Sequence, residues 1–106
     1  MANFYERSTY DLTTTNLTTV LTVNVSSVAI VKTIQCNEKD NSAVEVDTFL
    51  NSTRIGHTAV QNTTINLLAG VLNLQAGDAI KLQANTANKI TGVVSHLRID
   101  RSQENG

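Results

Sequence analysis

The chain has 106 residues and a mass of 11.5 kDa, which is enough for one domain. Apolar residues make up 41% and charged residues 16%, while 15 Thr, 12 Asn and 7 Ser supply the polarity. A net charge of −1 gives no electrostatic reason to bind nucleic acid, a single Cys excludes an internal disulfide, and no run approaches the ~20 apolar residues of a membrane helix.

Met1-Ala-Asn-Phe-Tyr-Glu-Arg contains no apolar h-region, so no secretory signal is expected. Three of the four aromatics, Phe4, Tyr5 and Tyr10, lie in the first ten residues, alternating with Glu6, Arg7 and Asp11. Residues 1–12 read as an N-terminal arm outside the main body. The alternative is that these rings plug one end of the domain's own core, since aromatics bury large areas.

From Leu17 onward the apolar pattern has period two. Leu21, Val23 and Val25 fall on one side, with Thr22 and Asn24 opposite. Thr and Val are stiff at χ1 and suit a pleated surface. After the polar break Ser26-Ser27, the run from Val28 to Cys36 puts Val28, Ile30, Ile34 and Cys36 on one face, interrupted by Lys32. Ala29, Val31, Thr33 and Gln35 take the other face, so the first half is apolar on both sides, as in a central strand.

Residues 37–42 are six consecutive polar residues and read as a loop or open hairpin. In the run from Ala43 to Leu50, Val44, Val46, Thr48 and Leu50 point one way and Glu45, Asp47 and Phe49 the other. The charges mark the second face as solvated. Arg54 to Val60 is an edge-like strand broken by Gly56, and Thr63 to Leu68 is another strand with Ile65 and Leu67 on one face. A short strand over 71–74 leads through the turn Ala76-Gly77-Asp78 into Ala79 to Ala84, where Ile80, Leu82 and Ala84 face in. In the closing strand, Lys89 to Asp100, Val93, Leu97 and Ile99 are expected inside and Val94, His96, Arg98 and Asp100 outside.

Seven to eight short strands with turns about every ten residues, and no helical periodicity, predict an all-β fold. The expected architecture is a single antiparallel β-sandwich, Ig-like or jelly-roll, over residues 13–100. Residues 101–106 read as a flexible tail.

No catalytic motif survives inspection. Cys36 at a strand end reads as a small buried hydrophobe, because neither His57 nor His96 carries a nucleophile-activating signature. The two His are far apart with no third ligand near either, so both read as solvated side chains and no metal is expected. Glu38, Asp40, Glu45 and Asp47 cluster in sequence, yet Lys39 sits among them and the calcium-loop rhythm is missing. No cofactor is expected. Phe49 on an exposed strand face is a weak lectin signal and a better hint of a protein contact.

Two stretches resemble small bacteriophage virion proteins. Asp11-Leu-Thr-Thr-Thr-Asn-Leu-Thr-Thr-Val-Leu-Thr-Val followed by Val28-Ala-Ile-Val-Lys-Thr-Ile-Gln-Cys-Asn37 is similar to that group's opening strands. Leu72-Asn-Leu-Gln-Ala-Gly-Asp-Ala-Ile-Lys-Leu-Gln-Ala is similar to its "L-x-L-x-A-G-D" hairpin, and Gly92 to Asp100 to its closing strand. The resemblance covers residues 11–100 and departs at Asn24-Val25, where the group has Val-Pro. It implies a non-enzymatic structural component of the virion, assembled in the host cytoplasm. The foremost expectation is a capsid decoration or cement protein, with a tail, neck or fibre accessory role as the alternative. The implied partners are other virion proteins, either the major capsid protein or tail and neck proteins, together with further copies of the chain. Neither nucleic acid nor membrane is implied. A carbohydrate-binding adhesin module is the competing reading from another class. The residues expected to carry a protein interface are Phe4, Tyr5, Arg7, Tyr10 and Phe49.

Overall fold

The computed structural model describes residues 2–101. They form nine strands and no helix: β1 (Ala2–Leu12), β2 (Thr18–Thr22), β3 (Ser27–Glu38), β4 (Val44–Leu50), β5 (Thr53–Val60), β6 (Thr64–Asn66), β7 (Leu72–Leu74), β8 (Ala79–Ala84) and β9 (Ile90–Asp100). One sheet has the order β1-β9-β3-β6, with β7 also paired to β3, and the other has the order β2-β8-β4-β5. First pairs with last, second with second-to-last, and so inward to the β4–β5 hairpin. This is a long antiparallel hairpin wound into two layers, the jelly-roll form of the expected sandwich.

The segment expected as an arm is β1. It runs antiparallel to β9 along its whole length, from Ala2 opposite Asp100 to Leu12 opposite Ile90. Its sequence hides this, because only the inner row of a one-sided edge strand meets the core, and most of β1 is exposed. Leu12 is its one fully buried residue, and Tyr10 packs against the core as the end-plug alternative had it. Arg101 continues past β9, its N–H donating to the Ser26 carbonyl at 2.8 Å. Residues 102–106 of the expected tail lie outside the described residues.

The core lies between the sheets and is built from β-branched and Leu side chains. Val31 and Ile34 of β3, with Val94 of β9, face Val44 and Val46 of β4 and Ile80 and Leu82 of β8. Leu21 and Val23 contribute as expected, but Val25 is 86% exposed, because the strand stops at Thr22 and the Asn24 carboxamide accepts the Ser26 N–H to form a turn.

The facing of the two long strands departs from the period-two reading. In β3, Val31 stands opposite His96 and Thr33 opposite Ser95, so Lys32 is an extra, bulged residue. The bulge shifts the phase: Ala29 and Val31 face the core before it, Ile34 and Cys36 after it. Val28 and Ile30 therefore point away from the second sheet. In β9 it is Val94 and His96 that are buried, while Val93, Leu97 and Ile99 lie half-buried on the outer face. In β3 both faces are apolar before the bulge, and in β9 the face that reads as polar, with His96, Arg98 and Asp100, is the one whose Ile90 and Val94 meet the core.

The abundance of Asn has a local cause. Asn41, Asn51, Asn62 and Asn88 all sit in the left-handed region, with φ of 55°, 55°, 47° and 63°, each at a turn. Asn tolerates that conformation because its side chain bonds locally. The Asn51 side chain instead bonds across the fold and ties two hairpin ends together, accepting the Ala79 N–H and donating to Asp78.

Two positions yield tests of this framework. Gly92 lies under the Tyr10 ring, whose hydroxyl donates to the Gln35 carbonyl at 2.7 Å. A Cβ at Gly92 would overlap both that carbonyl and the Tyr10 ring. Gly92→Ala should cost about 3 kcal/mol in urea unfolding; an unchanged midpoint contradicts the close approach.

Glu38, buried at the end of β3, gathers two turns. Its carboxylate accepts N–H groups of Asp40 (2.9 Å), Ser42 (3.0 Å) and Asn62 (2.8 Å). Burial pushes its pKa up, but these backbone donors outweigh burial and hold it below the ordinary 4.5. A depressed folded pKa stabilises above the unfolded value and is lost as pH falls through the folded one. Glu38→Gln should therefore lower the melting temperature at pH 7, and its gap from the wild type should narrow as pH falls below the ordinary carboxylate range. A gap independent of pH contradicts the charged cradle.

Candidate interaction surface

The outer face of the five-stranded sheet is the first candidate. Across it Tyr5, Leu97 and Ile30 stand in one row, and Asn3, Ile99 and Val28 in the next. Tyr5 is 78% exposed, and the Lys32 ammonium lies 5.6 Å from its ring centroid. Four aliphatic side chains and an aromatic ring thus share a face with no second layer. That arrangement marks a protein contact more readily than a solvated surface.

The second candidate is a polar cleft of about 670 Å³ where the edges β1 and β2 diverge. Its floor holds an ionic cluster. Glu6 accepts from Arg98 Nε at 3.1 Å and from Arg98 Nη2 at 3.4 Å, and it pairs with His96 Nε2 at 3.1 Å. The Arg98 guanidinium, more than His96, holds the Glu6 carboxyl below the usual carboxylate range despite partial burial. His96 is only 6% exposed, so it is not the solvated side chain expected from sequence. Period-two facing was the missed signal: once Val94 faces in, His96 must as well.

The third candidate is the outer face of the four-stranded sheet. His57 bonds Asp47 through Nδ1 and approaches Glu45 at 3.4 Å through Nε2, and Arg54 reaches Asp47 at 3.8 Å. The Asp47 carboxylate, ahead of Glu45, raises the His57 pKa. These are exposed ion pairs between β4 and β5, of the kind that contribute little to stability. Phe49 lies half-buried on the same face, in register with Arg54 and Lys81.

The five expected interface residues do not form one patch. Tyr5 and Arg7 lie on the outer face of β1. Phe4, 41% exposed, points to the inner side and lies under the Arg98 guanidinium, 4.4 Å from its centroid. Tyr10 is engaged within the fold, and Phe49 belongs to the other sheet. Leu97 and Ile99, which with Ile30 complete the Tyr5 face, are side chains that the sequence places inside.

The chemistry available is modest. Cys36 is fully buried, and burial pushes its thiol up to about 11, so it is inert as a nucleophile at neutral pH. Among the described residues, no three His, Cys, Asp or Glu side chains converge on a metal position.

No protein-family model and no curated protein matches the chain. Solved structures do match in fold. A chain from the acidic stable capsid of Helicobacter pylori bacteriophage KHP30 superposes with a TM-score of 0.61 at 9% identity, over 96% of this chain and 90% of that one. A chain from Bacillus endospore appendages, a family of disulfide-linked pili, superposes with a TM-score of 0.55 at 12% identity, over 95% and 88%. At these identities the likeness is one of fold, and it runs nearly end to end in both.

Proposed function

We propose that this chain is a non-enzymatic structural protein of a bacteriophage virion, a decoration or cement subunit bound to neighbouring capsid proteins. The observation that carries this reading is the near end-to-end likeness in fold to a chain of a phage capsid. The pilus likeness supports the broader part of the reading, a subunit that assembles. Two features of the chain agree. Buried Glu38 is spent on holding turns, and Tyr5, 78% exposed, projects from a sheet face that also carries Val28, Ile30, Leu97 and Ile99.

The mechanism is adhesive. A rigid sandwich presents a face with aliphatic rows and one projecting ring, while the rim is polar, which is the usual anatomy of a protein contact. Many equivalent copies on one particle turn modest single contacts into firm attachment. The adhesin reading has less support: the β1–β2 cleft is polar and offers no aromatic platform on which a sugar ring would stack.

The test is occupancy on particles. Deleting residues 1–12 is uninformative, since it removes a paired strand, so the useful variant is Tyr5→Ala on the exposed face. Wild-type protein should co-sediment with capsids in regularly repeated copies, seen by electron cryomicroscopy, and raise their melting temperature. Tyr5→Ala should cut occupancy by about tenfold or more. Absence of the wild-type protein from purified particles overturns the proposal.

A further inference from the structure

On the side of the sandwich opposite β1, the gap between β5 and the β6–β7 connection holds an apolar pocket of about 250 Å³. Ile55 and Val71 form its rim, exposed at 43% and 68%, with Leu67, Leu68 and Leu72 behind them. Thr48 of β4 also lines it. Thr48 is 1% exposed, and its hydroxyl has no hydrogen-bond partner among the described residues. Gly56, directly opposite Thr48, puts no side chain over it: a Cβ there would stand 3.6 Å from the hydroxyl. A buried hydroxyl without a partner is costly, so the site suits a ligand that is apolar along its body and polar at its tip.

We infer that this pocket receives Tyr5 from a second copy of the chain, with the two hydroxyls hydrogen-bonded. Among the described residues, the exposed large apolar side chains are Phe4, Tyr5, Leu17, Val25, Ile55 and Val71. Ile55 and Val71 are the pocket's own rim, and of the other four only Tyr5 ends in a hydrogen-bonding group. A phenol matches the pocket in both size and polarity. Around Tyr5, Leu97, Ile30 and Ile99 supply an apolar platform on which the rim can rest.

The knob and the hole lie on different parts of the molecule, so the contact is heterologous, and it propagates into a ring or an open array. Its size is limited. A single inserted Tyr side chain buries only about 150–250 Å², well below the ~800 Å² per partner of a standard stable interface. The pairwise association is therefore weak in solution and becomes firm in an assembly with many copies. This inference deepens the structural-protein reading and rests on it only for its biological setting, because the test needs no particle.

The test is sedimentation equilibrium of the full chain and its variants, up to about 1 mM. The wild type should show concentration-dependent mass. Tyr5→Ala, on an exposed position, and Gly56→Leu, which fills the pocket, should each weaken association by at least about tenfold. Mixed together, these two variants should form a one-to-one dimer and nothing larger, since one supplies only a pocket and the other only a ring. Tyr5→Phe and Thr48→Val should each weaken association, and the double variant should be no weaker than either. A monomeric wild type, an unaffected Tyr5→Ala or Gly56→Leu, or additive effects of Tyr5→Phe and Thr48→Val overturn the inference. Loss of capsid binding by Gly56→Leu with self-association intact also overturns it, assigning the pocket to another protein's side chain. Self-association without any capsid binding supports the inference while refuting the virion reading.

Discussion

The position of β9 between β1 and β3 governs the rest of the structure. The last strand hydrogen-bonds to the first along eleven residue pairs and to the third along a register broken once, at Lys32. Sequence-distant pairing of this kind closes the jelly roll. It also fixes which side chains face the core. With Ile90 and Val94 turned inward, the alternation of a pleated strand forces Leu97 and Ile99 outward. An apolar outer face is thus a consequence of how this sheet is built, and not a separate feature added to it.

Most of the architecture was legible in the chain. The strand now labelled β8 has the predicted bounds, and β4 differs by one residue, because Val44, Val46 and Thr48 alternate cleanly with Glu45, Asp47 and Phe49. Asn and Gly marked the turns, since left-handed backbone is where those residues are tolerated. Three things were not legible. The bulge at Lys32 leaves no sequence mark beyond a charge in an apolar run. The pairing of β1 is non-local and depends on a partner ninety residues away. The inner face of β9 reads as the polar one, because His96, Arg98 and Asp100 share it with Ile90 and Val94. The apolar pocket was hidden for a related reason: it joins β4, β5 and the β6–β7 connection, and only the fold brings these together.

The ionic clusters show why function could not be read from the types of residue. Glu6, His96 and Arg98 on one side, and Glu45, Asp47 and His57 on the other, contain groups that catalytic sites use. In the first cluster the carboxylate is held ionised by Arg98, so its geometry favours an internal salt bridge over proton transfer to a substrate. In the second the pairs line an open cleft of about 350 Å³ and are themselves solvent-exposed, so water screens them. The chain's remaining resource is shape: a stiff elongated body, 52 Å long, with a projecting ring on one side and a hole on the other.

The central claim is that the outer face of the β1–β9–β3 sheet is covered by another protein chain in the working assembly. Hydroxyl-radical footprinting read by mass spectrometry measures this side chain by side chain, comparing the isolated protein with the assembled particle. The account predicts that Tyr5, Ile30 and Leu97 are labelled in isolation and protected in the assembly, while exposed Val25 is labelled in both. Equal labelling of Tyr5, Ile30 and Leu97 in the two states would contradict it.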